Sequence, residues 1–180
     1  MWFKADTGHF LFNTGIDLMR KHFTGLMVIK PQEADAYRVI FITEVGLKIF
    51  DLEFFPDQPE KVHYMMEAMN RKSLVSALTN DISMVLMNRL PQAQPEILGK
   101  KGSGDIIYRY QSGKKNYYYF VREAGARPYF ARQTAGLASK ARAEMYGSSS
   151  TGIDSIKIRH DHFRFSIALY RINENNHAAE

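Results

Sequence analysis

The chain of 180 residues contains no cysteine and only one tryptophan. The lack of cysteine excludes disulfides, thiolate metal sites and cysteine nucleophiles. No apolar run approaches the ~20 residues that a membrane-spanning helix needs. Hydrophobic residues make up 45% and charged residues 24%, which excludes wholesale disorder. The length and composition predict one domain spanning residues 1–180.

The beginning of the chain has no charged segment followed by an apolar stretch, because Trp2-Phe3-Lys4-Ala5-Asp6 is polar and aromatic. It therefore does not have the pattern of a secretory signal. Two hypotheses stay open. The protein is cytoplasmic, or it is the mature part of an exported protein whose leader has been removed.

Positive charge is concentrated in the second half of the chain. Residues 1–90 carry 10 Lys and Arg against 11 Asp and Glu, whereas residues 91–180 carry 14 against 8. A basic half is compatible with nucleic acid or with an anionic membrane surface. The basic residues are scattered singly and in pairs, which favours a solvated face. Tyr117–Phe120 is aromatic on both faces, as expected of a packed strand, so no nucleic-acid partner is predicted.

The first third of the chain reads as a succession of short strands separated by turn residues. Connections this short require antiparallel pairing, because a parallel return needs a crossover of a dozen or more residues. The pattern predicts a meander over residues 9–65. Two of its strands, Leu26–Ile29 and Val39–Ile42, are apolar on both faces, which predicts that both faces are covered.

A single long helix is predicted over residues 67–90, where Leu74, Leu78, Ile82 and Val85 repeat at helical spacing. Pro91 is expected to end it. Five methionines on and before this helix indicate either plain core filling or an apolar surface that adapts to varied partners. These are Met65, Met66, Met69, Met84 and Met87.

A second meander is predicted over residues 105–172. Its clearest element is a hairpin over residues 105–122 that turns at Ser112-Gly113. Residues 137–146 are ambiguous, because their alanine content favours a helix whereas Ala141, Ala143 and Met145 alternate as in a strand. The predicted class is therefore α+β, mainly β: an antiparallel sheet with one long helix packed on it.

Motifs that carry chemistry are weak throughout. Residues 99–104 have the glycine spacing of a phosphate loop, but Asp105 stands where that motif needs a lysine. His160 and His162 are spaced to chelate a metal, yet they lie among polar residues typical of a turn, and no metal site is predicted. Asp51 and Glu53 share one strand face and are explained by a solvated strand. We therefore predict no catalytic residues, no cofactor and no enzymatic activity.

The order of these elements, two meanders around one apolar helix, resembles the LolA/LolB lipoprotein-localisation superfamily and the small envelope lipoproteins of Gram-negative bacteria that are grouped with it. The likeness is one of pattern over most of residues 9–172. It is carried by the segments His22–Lys30, Tyr37–Phe41, Glu44–Phe54, Ile158–His160 and Phe163–Leu169.

The resemblance implies a curved, half-open barrel whose concave face holds acyl chains beneath helices. It further implies a location in the cell envelope, in the periplasm or as an outer-membrane lipoprotein. Members of the lipoprotein type begin at a lipid-modified cysteine, which here would have been removed with the leader. A membrane surface would be a partner if the precursor is lipidated. The fold by itself does not guarantee a carrier activity.

Three functional hypotheses follow. The first is a non-enzymatic envelope protein that binds or carries lipid or acyl chains in an apolar cavity. The second is a structural or interaction module of the envelope whose core is filled by its own side chains. The third is a cytoplasmic enzyme with a cofactor that the sequence does not reveal.

The predicted cavity lies on one face of three consecutive strands, with Arg38 and Lys48 at its rim to receive an anionic head group. Residues of the opposite parity, Met27, Ile29, Val39, Phe41 and Ile49, are expected to pack on the helix. The predicted cavity residues are Leu26, Val28, Ile40, Ile42, Phe50, Leu52 and Phe54.

Overall fold

Strands joined by short turns account for most of the chain in a computed structural model, which describes residues 2–3, 8–90, 94–99, 104–148 and 152–172. One α-helix and two short 3-10 turns, Glu33–Asp35 and Glu67–Met69, complete the elements. In chain order the elements are β1 Phe10–Leu18, β2 Lys21–Pro31, β3 Tyr37–Thr43, β4 Lys48–Phe54, β5 Lys61–Met65, α1 Lys72–Leu86, β6 Glu96–Leu98, β7 Ile106–Ser112, β8 Lys115–Val121, β9 Phe130–Ala135, β10 Ala138–Ser148, β11 Gly152–His160 and β12 Phe165–Arg171.

All twelve strands form one antiparallel sheet in the order β5-β4-β3-β2-β1-β12-β11-β10-β9-β8-β7-β6. The two meanders join where the first strand pairs with the last, with Leu18 opposite Phe165 and Phe12 opposite Arg171. The sheet is curved and unclosed, because β5 and β6 at its edges do not pair with each other. The predicted α+β half-barrel is confirmed.

The inner face of the sheet is apolar and carries the helix. Along β1 the side chains alternate, so that Phe10, Phe12 and Ile16 are buried while Asn13 and Asp17 are exposed. The helix packs against β9, β10 and β11. The inward residues of these strands include Ala131, Ala141 and Ala143, all fully buried, and their small side chains let the helix approach the sheet closely.

The helix is shorter than the sequence predicts. It begins at Lys72, after a separate 3-10 turn, and it ends at Leu86. The predicted end at Pro91 is wrong, because Met87 already adopts the left-handed conformation (φ 58°) and donates its N–H to the Ser83 carbonyl, which closes the helix. Pro91 itself lies outside the described residues. No helix in the described ranges is long and apolar enough to cross a membrane.

The ambiguous segment over residues 137–146 is a strand, since Ala141, Ala143 and Met145 point into the core and the residues between them point outward. The predicted hairpin over residues 105–122 is confirmed as β7 and β8. Its turn consists of Gly113 and Lys114, one residue later than predicted, because Ser112 still pairs with Lys115. Most of the glycine-rich segment at residues 99–104 lies outside the described residues.

A first prediction concerns the close approach of strands at Gly25. An ideal Cβ there would lie 2.1 Å from the Ile42 carbonyl oxygen and 2.7 Å from the Thr43 Cα, and backbone atoms cannot move aside cheaply. We expect Gly25→Ala to lower the free energy of unfolding by about 1–3 kcal/mol, measured by urea denaturation. Gly15→Ala is the control, because its Cβ would meet only the His22 ring at 3.4 Å. Equal stability of the two variants would contradict the prediction.

Candidate functional site

Three segments meet at one end of the half-barrel and leave a groove between them. They are the β1–β2 turn, the segment that leads into α1, and the β11–β12 turn. Because Leu18 pairs with both Lys21 and Phe165, the two turns lie side by side. The Met19 N–H donates to the Arg164 carbonyl at 2.7 Å, which fixes their relative position.

The groove has a volume of about 590 Å³ and a mostly apolar lining. This size lies within the range of small-molecule and lipid sites. Its walls come from both meanders and from the first turn of the helix. The lining residues are Leu18, Met19, Arg20, Lys21, Ala68, Arg71, Ser73, Leu74 and Phe163.

Met19 is the most unusual residue of this groove. Its side chain is 58% exposed at the tip of the β1–β2 turn. Its backbone is in the left-handed region (φ 54°), where a residue with a Cβ is disfavoured by about 1 kcal/mol or more. The two-residue turn between Leu18 and Lys21 accounts for the backbone, because tight hairpin turns need a positive φ at their first central residue. The exposed apolar side chain is what this turn does not require.

Positive charge borders the groove. Arg20, Lys21 and Arg71 are exposed and line it. Within the described part of the chain, none of these three side chains has a carboxylate at ion-pair distance. Their charge is therefore available to an anionic group that comes from outside.

The interior behind the groove is filled by the protein's own side chains. Phe12, Ile16, Val39 and Phe41 on the sheet have no measurable exposure, and Leu78 of the helix packs into the same core. Of the five methionines singled out in the sequence, three lie fully in this core and two pack against it. The buried three are Met65, Met69 and Met84, and the partly buried two are Met66 and Met87.

The seven predicted cavity residues do not share a face, and this part of the prediction is wrong. In the observed register Ile40 pairs with Asp51, and Val39, not Ile40, pairs with Leu52. An irregularity beside Phe41 shifts the pairing of β3 with β4 by one residue. An even-numbered residue of β3 such as Ile40 therefore lies opposite an odd-numbered residue of β4 such as Asp51, and even-numbered residues of the two strands point to different faces. The outward group is Leu26, Val28, Ile40 and Ile42, and the inward group is Phe50, Leu52 and Phe54.

The expectation that both faces of these strands are covered is also wrong. The four outward residues stay partly exposed, and Leu26 and Ile42 border a shallow groove on the outer surface. The five residues of the opposite parity are buried in the core, but the helix on which they were expected to pack lies mainly against β9, β10 and β11. The five residues are Met27, Ile29, Val39, Phe41 and Ile49.

The two predicted rim cations lie on the outer face, away from the groove, and they are already neutralised. Arg38 donates to both carboxylate oxygens of Asp51 at 2.5 and 3.0 Å, and Lys48 donates to one of them at 3.3 Å. His63 lies 2.9 Å from the Arg38 guanidinium and 2.8 Å from Glu53. Burial alone would raise the pKa of Asp51, but the hydrogen bonds from Arg38 and Lys48 outweigh it and hold that pKa below its usual value.

His160 and His162 do not act together. Their ring centres are 6.1 Å apart, and Nδ1 of His160 faces the carboxylate of Asp81 on the helix at 3.1 Å. In the part of the chain that the structure describes, no group of three or more His, Cys, Asp or Glu side chains is arranged to hold a metal ion.

The fold is similar to that of two solved structures. A LolA superfamily protein from Nitrosomonas europaea superposes with a TM-score of 0.56 over 95% of this chain and 86% of that chain, at 10% sequence identity. The chain has the LolA-like fold. A domain assigned as an outer membrane lipoprotein-sorting protein from Vibrio parahaemolyticus superposes with a TM-score of 0.52, covering 96% of this chain and 85% of that one, at 9% identity. No protein-family model and no curated protein matches the sequence.

The groove at the end of this LolA-like fold is not predicted from the sequence. One local signal was present: in Leu18-Met19-Arg20-Lys21 an apolar residue stands in a turn directly before two cations. The contributions of Leu74 and Phe163 had no such signal, because these residues are far from Met19 in sequence and resemble ordinary core positions.

A second prediction concerns the neutralised cations. Because the pKa of Asp51 is lowered in the folded protein, its ion pairs stabilise the fold above about pH 4 and lose that contribution as the pH falls further. We expect Asp51→Asn to cost about 1.5–3 kcal/mol at pH 7, and less in acid, by urea denaturation at a series of pH values. Asp17→Asn, at an exposed pair with His22, is the control and should change little. A penalty for Asp51→Asn that is constant with pH would contradict the prediction.

Proposed function

We propose that this protein binds the acyl chain of a lipid or of a lipoprotein, non-enzymatically and as a single domain, through the groove at the end of its half-barrel. The observation that carries the proposal is the groove itself, which combines an apolar lining with cations that have no carboxylate partner among the described residues. The interior of the half-barrel continues behind it as an apolar core.

Burial of an acyl chain in such a groove favours binding. Complete burial of ~12 CH₂ groups at ~0.8 kcal/mol each would give a gross gain near ~10 kcal/mol, and a groove that is open on one side supplies part of it, before the entropic costs of ordering. Met19 and Phe163 provide most of the accessible apolar surface, because Leu18 and Leu74 are largely buried. Longer chains would have to displace side chains of the core, which requires the helix to move.

An anionic head group fits the border of the groove. Each exposed cation contributes about 1 kcal/mol to an anion at ~4 Å in water, so Arg20, Lys21 and Arg71 orient the ligand and add modestly to its affinity. The preferred ligand is therefore an acyl chain that carries a negative charge at one end.

The fold neighbours support the same class of function. One of them is described as an outer membrane lipoprotein-sorting protein domain. We propose for this protein a location in the cell envelope, in the periplasm or at the outer membrane. The two carboxylates that the sequence offers as candidates for acid–base chemistry, Asp51 and Glu53, are engaged by Arg38, Lys48 and His63 on the outer face.

One observation favours the second hypothesis, an envelope module without a ligand. The inner face is filled by the protein's own side chains, so the core does not need a ligand to be complete. The two functions differ in one measurable property, which is whether the purified protein takes up an acyl chain.

The test is a titration with a fluorescent fatty acid on the wild type and on Met19→Asn. Asparagine tolerates the left-handed backbone at this position but removes the apolar contact. We expect wild-type binding that is saturable and a variant that binds roughly fivefold to tenfold more weakly. Val45→Asn is the matched control, because Val45 is 90% exposed in the β3–β4 turn at the same end of the sheet and does not line the groove.

Two further measurements sharpen this test. The double variant Arg20→Gln/Lys21→Gln should lose affinity for a fatty acid and keep its affinity for the fatty alcohol of equal length. Ile40→Glu should leave binding unchanged, because Ile40 lies on the outer face. Absence of binding to the wild type would overturn the proposed function in favour of the module without a ligand.

A further inference from the structure

The outer face of the second meander carries three arginines side by side on neighbouring strands. Strand pairing places Arg132 of β9 directly opposite Arg142 of β10, and Arg142 directly opposite Arg159 of β11. All three residues are exposed. Neighbouring strands lie about 4.8 Å apart, so the three Cα atoms span about 10 Å along one line. Cations that are scattered singly along the sequence are thus gathered into one arginine row.

Stability does not explain the arginine row. Like charges directly opposite each other on neighbouring strands destabilise a sheet, and here two such pairs adjoin. Within the described ranges only Arg142 has an acidic partner, Asp161 at 3.2 Å. Arg132 donates to the neutral Ser139 hydroxyl at 3.1 Å, and Arg159 has no carboxylate at ion-pair distance among the described residues. The row therefore keeps positive charge that the fold does not neutralise.

A shallow depression adjoins the arginine row. Its volume of about 240 Å³ is below that of pockets for drug-sized ligands and leaves room for a single charged group such as phosphate. Arg142, Arg159 and Lys157 border it. The carboxylate in its lining belongs to Glu144, which accepts a hydrogen bond from the Tyr146 hydroxyl at 2.8 Å. The depression therefore favours an anion.

An apolar row runs beside the arginine row on the same face. Strand pairing sets Ile107 of β7 opposite Phe120 of β8, and Phe120 opposite Phe130 of β9. These three residues are partly exposed, and the two phenyl rings meet edge to face with their centres 5.2 Å apart. Phe130 and Arg132 are two residues apart on one strand, which sets the rows about 7 Å apart. The outer face thus presents aromatic surface next to positive charge.

This combination fits the surface of a membrane that contains anionic phospholipid. Guanidinium groups bind phosphate through paired hydrogen bonds. Aromatic side chains beside cations are typical of protein surfaces that lie at the level of the lipid head groups. A single-stranded nucleic acid would need free ring faces for stacking, whereas Phe120 and Phe130 are partly buried against each other.

We propose that the arginine row and the apolar row together form a docking surface for a membrane that contains anionic phospholipid. Arg132, Arg142 and Arg159 bind the phosphate groups of the lipid, and the apolar row lies against the head-group region. The docking surface is separate from the groove, and the proposal does not depend on the binding of an acyl chain there.

Docking in this way sets the groove close to the membrane. Arg159 pairs with Ser166, which follows Phe165 directly in the chain. Phe165 lies opposite Leu18, and Leu18 lines the groove. The end of the half-barrel that carries the groove therefore lies at the same end of the strands as the arginine row.

The experiment is sedimentation of the full chain with vesicles of phosphatidylglycerol and phosphatidylcholine in equal parts, and with vesicles of phosphatidylcholine alone. We expect binding to the anionic vesicles only, and weaker binding as the salt concentration rises. Arg132→Gln/Arg159→Gln should bind the anionic vesicles about 25-fold more weakly, because each cation near such a surface contributes about fivefold in affinity.

Three further variants serve as comparisons. Lys30→Gln/Lys61→Gln is the matched control, because it removes two exposed cations from the first meander and should stay within roughly twofold of wild type. Arg132→Lys/Arg159→Lys keeps the charge and should retain most of the binding. Ile107→Ser should bind anionic vesicles roughly fivefold more weakly, because it removes part of the apolar row.

Urea denaturation separates a docking surface from a structural role. Arg132→Gln/Arg159→Gln should unfold at the same or a higher urea concentration, because it relieves the repulsion between like charges. A lower midpoint for this variant would mean that the row serves the fold and would overturn the proposal.

Other results that would overturn the docking surface concern the ligand. They are equal binding of anionic vesicles by wild type and Arg132→Gln/Arg159→Gln, and equal binding of wild type to anionic and neutral vesicles. If inorganic phosphate or a single-stranded oligonucleotide binds while the vesicles do not, the row serves a soluble anion and the membrane assignment is wrong.

Failure of this proposal is distinguishable from failure of the proposed function. Arg132→Gln/Arg159→Gln should bind the fluorescent fatty acid as tightly as wild type, because neither residue lines the groove. If the wild type binds anionic vesicles and no fatty acid, the docking surface stands and the proposed function is wrong. If it binds the fatty acid and no vesicles, the docking surface alone is wrong.

Discussion

The pairing of β1 with β12 is the constraint on which the rest of the structure depends. It joins strands from opposite ends of the described chain, with Leu18 opposite Phe165, and makes one continuous sheet from two meanders. Without this pairing the two meanders would separate between β1 and β12, and the apolar side chains there would be exposed to water. The same pairing sets the β1–β2 turn beside the β11–β12 turn and thereby creates the groove.

Side-chain size on the inner face decides where the helix lies. Large residues such as Phe12 and Phe41 fill the space over one half of the sheet, whereas Ala131, Ala141 and Ala143 leave room over the other half. The helix occupies that room and closes the interior. The interior beneath the helix is therefore filled by the protein's own side chains.

Charge is divided between two surfaces with different consequences. On the outer face the charged side chains form ion pairs with one another, and these pairs stabilise the fold. They are Arg38, Lys48, Asp51 and Glu53. At the groove, basic side chains border an apolar surface without acidic partners among the described residues. The number of cations is thus a poor guide to a binding site, because a cation that is already paired with a carboxylate is not available to a ligand.

The sequence by itself determined the β-rich class, the single helix near the middle of the chain, the hairpin of β7 and β8, and the order of elements typical of the LolA-like fold. These follow from local periodicity and turn chemistry, which act over a few residues. It did not determine which residues of neighbouring strands share a face. The offset beside Phe41 separates Ile40 from Leu52, and one residue of shift exchanges the inside for the outside. Tertiary structure alone placed Met19, Leu74 and Phe163 around one groove, because that contact joins segments more than 50 residues apart in sequence.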